Sequence, residues 1–321
     1  MRKSSAIGLA MLSAVLFGAS TPAAKALLGE LSPWLLAGLL YLGSGAGLGA
    51  VLIGRRLVGT GGSEAPIRAG DLPWLGGAVL SGGVAGPLLL MAGLAQTTAS
   101  AASLLLNLEG LATMAIAWIV FRENVDTRLL AGAFSILLGA ALLAWNGGTL
   151  GSMQGGAALI AGACLCWGVD NNLTRKISGA DPMQIAAIKG LVAGVVNVGI
   201  GMSLGSARPQ LATVAGASLV GLLGYGVSLM CFILALRHLG AARTGAYFST
   251  APFVGAGLGI GLLGEPTTPW FVAAAGLMAI GVWLHLTERH THEHLHEAVE
   301  HEHAHWPDLH HRHDHEPDRT D

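Results

Sequence analysis

One carboxylic acid, Glu109, lies near the middle of a long apolar run that covers about residues 97–121. Such a run has the ~20 residues that an α-helix needs to cross a bilayer. An ionised carboxylate at that depth is costly unless it is paired or hydrated, and ionisable residues there commonly serve transport or proton transfer. The alternative is a protonated Glu109 that bonds to a neighbouring helix. Asn107 lies about 200° around the helix from Glu109, so both side chains cannot face one cavity equally.

A second polar cluster consists of the consecutive residues Asp170, Asn171 and Asn172, which lie near the end of another apolar run. Lys189, in the following run, lies at a similar depth of roughly 10 Å from the same side, which would allow an ion pair between Asp170 and Lys189. That pair either neutralises two buried charges or exchanges partners when substrate binds. Tyr225, Tyr247 and Asn197 are further candidates for a cavity wall.

The C-terminal segment, residues 290–321, contains eleven of the thirteen histidines. The candidate metal ligands are His290, His292, His294, His296, His301, His303, His305, His310, His311, His313 and His315. Neutral imidazoles bind zinc, nickel, cobalt and copper, and histidine-rich tracts are typical of metal binding. The alternative is a solvated, disordered tail that binds metal incidentally. Apart from a divalent transition metal on this tail, we expect no cofactor to be required.

The composition is that of a membrane protein. Hydrophobic residues make up 52% of the chain, charged residues 11%, and the mean hydropathy is +0.60, whereas a soluble domain is about a quarter charged. The 48 glycines lie largely between apolar residues and indicate close helix packing. The three cysteines all lie in apolar segments, which favours packing over a disulfide framework or a zinc site.

The apolar runs predict ten membrane spans. They cover about residues 5–26, 33–54, 72–94, 97–121, 127–146, 155–177, 183–204, 211–236, 241–263 and 269–288. The first run resembles a cleavable signal, with Lys25 between two alanines, but it has a counterpart later in the chain and we expect it to be retained. Glu123 and Glu265 lie at membrane boundaries, where helix capping or interfacial anchoring is the favoured role.

The basic residues indicate the orientation of these spans. With a cytoplasmic N-terminus, 14 of the 17 Lys and Arg residues fall on the cytoplasmic side. Only Lys25 and Arg208 fall outside, and Lys189 lies within a span. This distribution follows the positive-inside rule, so both termini are predicted to be cytoplasmic, in a multi-pass protein of the cell membrane.

The chain also repeats itself at long range. Glu123 and Glu265 are 142 residues apart, as are Gly139 and Gly281, and a Gly18–Gly168 pair is 150 residues apart. Two halves of five spans must enter the membrane with opposite orientations, an arrangement typical of secondary transporters whose substrate site lies between the repeats. Pro22 should kink or interrupt the first helix of the first half, and the Asp170 cluster predicts an interruption at the matching place in the second half.

The segments LFGAS and CWGVD, together with the glutamates of FRENV and LGEPTT, resemble the EamA domains of the drug/metabolite transporter superfamily. The resemblance covers about residues 5–288. It implies a ten-helix bundle that moves small metabolites, often outward. Glu109 in the first half is matched by Ala251-Pro252 in the second, so the halves are not chemically equivalent.

The fold prediction is therefore an all-α membrane protein of ten transmembrane helices. It divides into inverted five-helix repeats at 1–148 and 149–289 and a disordered cytoplasmic tail at 290–321. The predicted function is export of a small organic metabolite, coupled to protons through Glu109. The alternative is divalent-metal transport with the tail as collector or sensor, although the spans lack a His/Asp/Glu cluster. The expected partners are a small-molecule substrate and the lipid bilayer, with no nucleic acid. No constellation of a membrane enzyme is evident.

Overall fold

The computed structural model describes residues 3–59, 65–122, 126–145 and 152–287. Within these ranges the chain is almost entirely helical and contains ten long helices. They are α1 (Lys3–Leu27), α2 (Pro33–Leu57), α3 (Ala69–Gln96), α4 (Ala99–Phe121), α5 (Thr127–Trp145), α6 (Ser152–Arg175), α7 (Pro182–Ser203), α8 (Leu211–Leu239), α9 (Ala241–Phe248 with Ala251–Leu263) and α10 (Pro269–Leu286). Glu123 and all of the predicted metal ligands lie outside the described residues.

By length and composition, nine of these helices could cross a membrane, counted over the described ranges. Helix α6 has 24 residues and carries the polar run Asp170-Asn171-Asn172 near its C-terminal end. The observed helix ends lie within about three residues of the predicted spans. The described chain is thus an all-α membrane protein.

Capping residues set several of the helix starts. The side chains of Ser32, Thr98, Asp181 and Thr268 each accept a backbone N–H from the first turn of their helix. Three of these helices have proline at the first helical position, where the missing N–H costs nothing and the fixed φ suits the helix.

Two helices are interrupted by a turn at equivalent positions. Helix α4 breaks between Leu105 and Leu108, and α9 breaks between Phe248 and Ala251. At each break a side chain donates to the carbonyl three residues earlier: Asn107 to Leu104 O at 2.8 Å and Ser249 to Ala246 O at 2.8 Å. Such local bonds compete with the regular helix ladder. Asn107 and Ser249 are 142 residues apart.

The same offset recurs at the ends of these helices. Arg122 closes α4 with φ 56° and Gly264 closes α9 with φ 65°, both in the left-handed region. Helices α3 and α8, which precede the broken helices, each contain a π-helical segment, at Val79–Ala85 and Leu222–Val227. The backbone irregularities therefore repeat along with the sequence.

The predicted interruptions of α1 and α6 are not observed, because both helices run continuously through Pro22 and through Asp170–Asn172. Proline removes the N–H that would bond to Gly18 O, four residues earlier. That carbonyl instead lies against α9, where a Cβ on Gly255 would be 2.7 Å from it. Helix α6 remains regular through its polar run because Asp170, Asn171 and Asn172 lie on different faces of the helix and bond to different partners, as described below.

Glycines bring corresponding helices into close contact. Gly45 of α2 meets Gly190 of α7, since the Cα of Gly45 lies 2.7 Å from the position of a Cβ on Gly190. Gly38 meets Val198 in the same pair of helices. Residues later in α2 contact residues earlier in α7, so the two helices run antiparallel. Small residues allow such close approach in membrane bundles.

Helices α5 and α10 form a second antiparallel contact. Gly132 packs on Gly281 and Gly139 packs on Ala274. In the 142-residue repeat, Gly132 corresponds to Ala274 and Gly139 corresponds to Gly281. The contact of Gly132 with Gly281 and the contact of Gly139 with Ala274 therefore have equivalent partners in opposite halves. Paired contacts of this kind are typical of interfaces with two-fold symmetry.

Candidate functional site

A cavity of about 300 Å³ lies inside the helix bundle. Helices α1, α2, α3, α4, α6, α7, α8 and α9 all contribute to its walls. The residues that line it are Phe17, Ser20, Thr21, Tyr41, Ser44, Leu90, Leu106, Glu109, Trp167, Asp170, Asn171, Ala186, Lys189, Gly190, Tyr225, Ser228, Leu229, Phe232 and Phe248. Most of these are apolar or aromatic, and three carry an ionisable acid or amine.

Helices α1 and α6 contribute equivalent positions. Phe17, Ser20 and Thr21 of α1 line the cavity. Adding 150 to each number gives Trp167, Asp170 and Asn171, which line it from α6. The FG and WG signals in the sequence therefore mark the first cavity-lining position of each helix.

Pro87 explains how the π segment of α3 supports the cavity. Proline has no N–H, so the carbonyls of Gly82 and Gly83, five and four residues earlier, lose their usual helical partners. Gly82 O instead accepts the Tyr41 hydroxyl at 2.9 Å and the Trp167 Nε1–H at 2.9 Å. Gly83 O accepts from Asn197 Nδ2 at 3.0 Å. The freed carbonyls thereby fix two aromatic rings of the cavity wall.

Asp170 and Lys189 form an ion pair across α6 and α7, which their similar depth in the sequence allowed. The Asp170 side chain is 3% exposed and the Lys189 side chain 22% exposed. The second carboxylate oxygen, Asp170 Oδ1, accepts from Thr174 Oγ1 at 3.0 Å. Gly82 makes room for this carboxylate, because a Cβ there would collide with Asp170.

Glu109 lies in the first turn of α4 after the break. Its Oε1 accepts from Asn171 Nδ2 at 3.1 Å, and the same amide donates to Thr113 Oγ1 at 3.1 Å. Its side chain lines the main cavity and also a second cavity of about 270 Å³ between α4, α5, α9 and α10. The structure therefore brings together Glu109, Asp170, Asn171 and Lys189 of the predicted site.

Three predicted site residues lie elsewhere. Asn107 lines the second cavity and not the first, in keeping with its position around the helix. Asn172 is buried between α6 and α4, where Nδ2 donates to Thr113 O at 3.1 Å and to Gly168 O at 2.8 Å. Tyr247 packs beside Ala6, Ala10 and Ala235 and lines neither cavity.

Of the aromatic residues in the cavity wall, the sequence predicted Tyr225 and missed the others. Five aromatic rings contact one another in the order Tyr41, Tyr225, Phe17, Phe248 and Phe232, with centroid separations of 5.1–6.1 Å. Their numbers span most of the chain, so only the packing of distant helices assembles them. The signals that could have found them were the paired FG and WG and the position of Phe248, 142 residues after Leu106.

One end of the bundle is held by a lysine and a glutamate. Lys25, at the end of α1, donates to Leu94 O at 2.6 Å and to Thr97 O at 2.7 Å. Glu265 accepts the backbone N–H groups of Ala99 at 2.6 Å and Ser100 at 2.7 Å. The capping role predicted for Glu265 is confirmed, although it caps α4 and not its own helix. Both side chains complement a helix dipole, since the Lys25 cation lies at the C-terminus of α3 and the Glu265 anion lies at the N-terminus of α4.

Among residues 3–59, 65–122, 126–145 and 152–287, no group of three or more His, Cys, Asp or Glu side chains could hold a metal ion. His285, one of the two histidines outside the tail, is close to Leu129 O, with Nε2 at 3.0 Å. The metal ligands predicted in the tail lie outside this part of the chain.

Comparison with known proteins identifies the family. The model of the EamA-like transporter family matches twice, over residues 4–145 and 154–287. The chain belongs to the EamA-like transporter family. It is therefore a multi-pass membrane transporter. The resemblance drawn from the sequence is confirmed, and the two matches define a first and a second half.

An uncharacterized transporter of Methanothermobacter thermautotrophicus is 30% identical over 230 residues, which cover 70% of this chain and 67% of the relative. A solved crystal structure superposes with a TM-score of 0.62 and 19% identity, covering 88% of this chain and 96% of the other. At that identity the likeness concerns the fold.

Proposed function

We propose that the protein is a secondary transporter that exports a small organic metabolite through the main cavity in exchange for protons. The observation that carries this proposal is the meeting of Glu109, Asp170 and Lys189 in one cavity inside the bundle. Ionisable residues within a bilayer face the bundle interior or a hydrated path and mark routes for substrates or protons. A volume of about 300 Å³ is at the small end of ligand sites.

The proposed architecture is a pair of inverted five-helix repeats. Its support is the antiparallel packing of α2 on α7 and of α5 on α10, together with the matching breaks in α4 and α9. Each broken helix also packs against the first helix of the other half: Gly168 meets Ala112 and Thr113, and Gly18 meets Ala251 and Gly255. Inverted repeats let one half rock against the other around a shared site.

Glu109 is the proposed proton carrier. It lines both cavities, so either one can bring water to it. Its partner Asn171 is a neutral amide, which can donate to the carboxylate and to the carbonyl oxygen of the protonated acid. The Asp170 carboxylate, by contrast, is already held by Lys189 and Thr174.

The test is Glu109→Gln in reconstituted vesicles that are loaded with a small-metabolite extract and acidified on the outside. The wild-type protein should release metabolite as protons enter. Glu109→Gln keeps the shape of the side chain but cannot titrate, so it should fold normally and lose this response, while Glu109→Asp should retain part of it. Release is followed by mass spectrometry and lumenal pH by an entrapped dye.

Glu30→Gln is the matched control, because Glu30 is an exposed acid whose described partner is Thr213, away from both cavities. It should behave as the wild type. If Glu109→Gln followed the pH step as the wild type does, Glu109 would be a packing residue. Asp170 and Lys189 would then be the next candidates for coupling.

We further propose that the protein lies in the cell membrane with both termini in the cytoplasm, and that residues 290–321 bind divalent transition metals there. The excess of basic residues on one side supports the orientation, and the histidine density supports metal binding. Transport of the metal itself has less support, because the described helices hold no cluster of three or more ligands.

Truncation to residues 1–289 tests the tail. The shortened protein should remain monodisperse and should lose most of its bound zinc or nickel, measured by elemental analysis after dialysis. In sealed right-side-out vesicles, zinc added outside should reach the tail of the full chain only after permeabilisation. Unchanged metal content on truncation would contradict the metal proposal, and binding without permeabilisation would contradict the orientation.

A further inference from the structure

The charges of the main cavity do not balance. Its ionisable acids and amines are Glu109, Asp170 and Lys189. Asp170 is paired with Lys189, so these two charges cancel. The partner that the structure gives the Glu109 carboxylate is the neutral amide of Asn171. With Glu109 ionised, the cavity carries one unbalanced negative charge.

The walls around this charge are aromatic. The five rings from Tyr41 to Phe232 form a continuous band that spans α2, α8, α1 and α9. Trp167 faces the same cavity, and its indole N–H is already bound to Gly82 O. The Tyr41 hydroxyl is bound to the same carbonyl. These polar groups are therefore occupied, and the rings offer the cavity mainly their apolar surfaces.

A carboxylate beside aromatic faces is the chemistry that recognises an organic cation. The negative face of an aromatic ring attracts ammonium groups within about 6 Å, and desolvation strengthens that attraction. A ligand with one positive charge would also replace the proton that otherwise neutralises Glu109.

We propose that the main cavity selects a small monovalent organic cation with an apolar or aromatic body, which binds to ionised Glu109 and the aromatic band. This inference rests on the proposed export through the cavity and names its substrate class. The cation and the proton compete for one carboxylate, so export of the cation requires that a proton takes its place. The other titratable groups near Glu109 are Asp170 and Lys189, which are paired, the phenols of Tyr41 and Tyr225, and His285, which lines the second cavity together with Glu109.

The principal alternative is a zwitterion, with its amine on Glu109 and its carboxylate on Lys189. That arrangement would require Lys189 to leave Asp170, whose Oδ2 it contacts and which is 3% exposed. Breaking a buried pair leaves an uncompensated charge and is costly. The structure therefore favours a ligand that leaves the pair intact.

The experiment measures binding to the full chain in lipid nanodiscs by isothermal titration calorimetry. The probes share an aromatic ring and differ in charge: benzyltrimethylammonium, phenylalanine, phenylacetate and benzyl alcohol. We expect benzyltrimethylammonium to bind best and to bind more tightly at pH 8 than at pH 5, because the carboxylate must be ionised. Repeating the titration in buffers of different ionisation enthalpy should show proton release at the lower pH.

Three variants separate a charge effect from a structural one. Glu109→Gln should weaken cation binding by about 30-fold or more, as expected for losing one partner of a buried charge pair. Phe232→Leu should weaken cation binding by about fivefold through the lost aromatic face, and it should weaken binding of benzyl alcohol less, because that ligand carries no positive charge. Glu30→Gln should bind the cation as the wild type does.

Tighter binding of phenylalanine or phenylacetate than of the cation would overturn the cation proposal, yet export through the cavity would stand if the pH-step assay still depends on Glu109. A cation affinity that does not change with pH would overturn it as well, and this readout needs only the wild-type chain. Binding of none of the probes would also reject the proposal. If the pH-step response of Glu109→Gln then matched the wild type, proton coupling through Glu109 would fail too.

Discussion

Helices α1 and α6 present the same positions to the cavity with different chemistry. Where α6 has Asp170, held by Lys189 and Thr174, α1 has Ser20, whose hydroxyl turns back to Phe17 O in its own helix at 2.6 Å. The glycines opposite are equivalent too, since a Cβ on Gly82 would meet Asp170 and a Cβ on Gly224 would meet Ser20. Helices α1 and α6 thus have closely related backbone environments, but α6 gives the cavity a charged side chain and α1 gives it a neutral one.

The neighbouring helices extend this contrast. Gly45 and Gly190 are 145 residues apart and pack on each other, and the same offset relates Ser44 of α2 to Lys189 of α7. The ion pair of the second half therefore corresponds to two hydroxyls in the first. In return, the first half has Glu109 where the second has Ala251. Backbone repetition determines where the cavity lies, and the differences between the halves determine its charge.

Asp170→Asn should produce the largest effect on stability. The substitution leaves the Lys189 ammonium facing a neutral amide, and breaking a buried pair costs about 3 kcal/mol. Ser20→Ala, at the equivalent position, should cost no more than about 1 kcal/mol, the worth of one local hydrogen bond. The free energy of unfolding in bicelles measures both.

The double variant Asp170→Asn with Lys189→Met should recover much of the loss, because it removes the uncompensated charge. If Asp170→Asn and Ser20→Ala lowered the free energy of unfolding equally, the ion pair would contribute no more to stability than the equivalent serine hydroxyl.

Gly18→Ala and Gly168→Ala should have intermediate and similar effects. Each added methyl would collide with a helix of the other half, Gly18 with Ala251 O and Gly168 with Ala112, whose Cβ would be 2.8 Å away. Overpacking of this kind costs about 1–3 kcal/mol. Gly8→Ala is the control on α1, since a Cβ there has nothing within 4 Å, and it should be neutral or slightly stabilising. Thermal unfolding measures the stability of the three variants. If only one of Gly18→Ala and Gly168→Ala is destabilised, the two positions are not structurally equivalent.

Trp167→Phe should have the smallest effect. It makes position 167 resemble Phe17, and it removes one of the two donors to Gly82 O while Tyr41 still donates. The expected cost is about 1 kcal/mol. Trp118→Phe provides a baseline, because Trp118 is 48% exposed on the outer surface of the bundle. A loss at Trp167 that does not exceed the loss at Trp118 would show that the indole bond is dispensable.

Much of the architecture could be read from the sequence because burial in lipid imposes strong local rules. Each span needs a long apolar run, so the predicted helix ends differ from those observed by only a few residues. Neither α1 nor α6 is interrupted as the sequence suggested. The carbonyl that Pro22 leaves without a donor lies against α9, and the polar side chains of α6 bond to α4 and α7. The breaks in α4 and α9 were missed, since Asn107 and Ser249 look like ordinary polar residues in an apolar run.

The sequence by itself determined the helix content and the family, and it allowed the pairing of Asp170 with Lys189, because apolar length, repeated offsets and matching depth are properties of the chain order. Only the tertiary structure decided that Asn171 reaches Glu109, that Asn172 and Tyr247 lie away from the cavity, and that five distant rings meet in one band. Those outcomes depend on how helices rotate about their axes and approach one another through glycines, and local sequence does not encode that rotation.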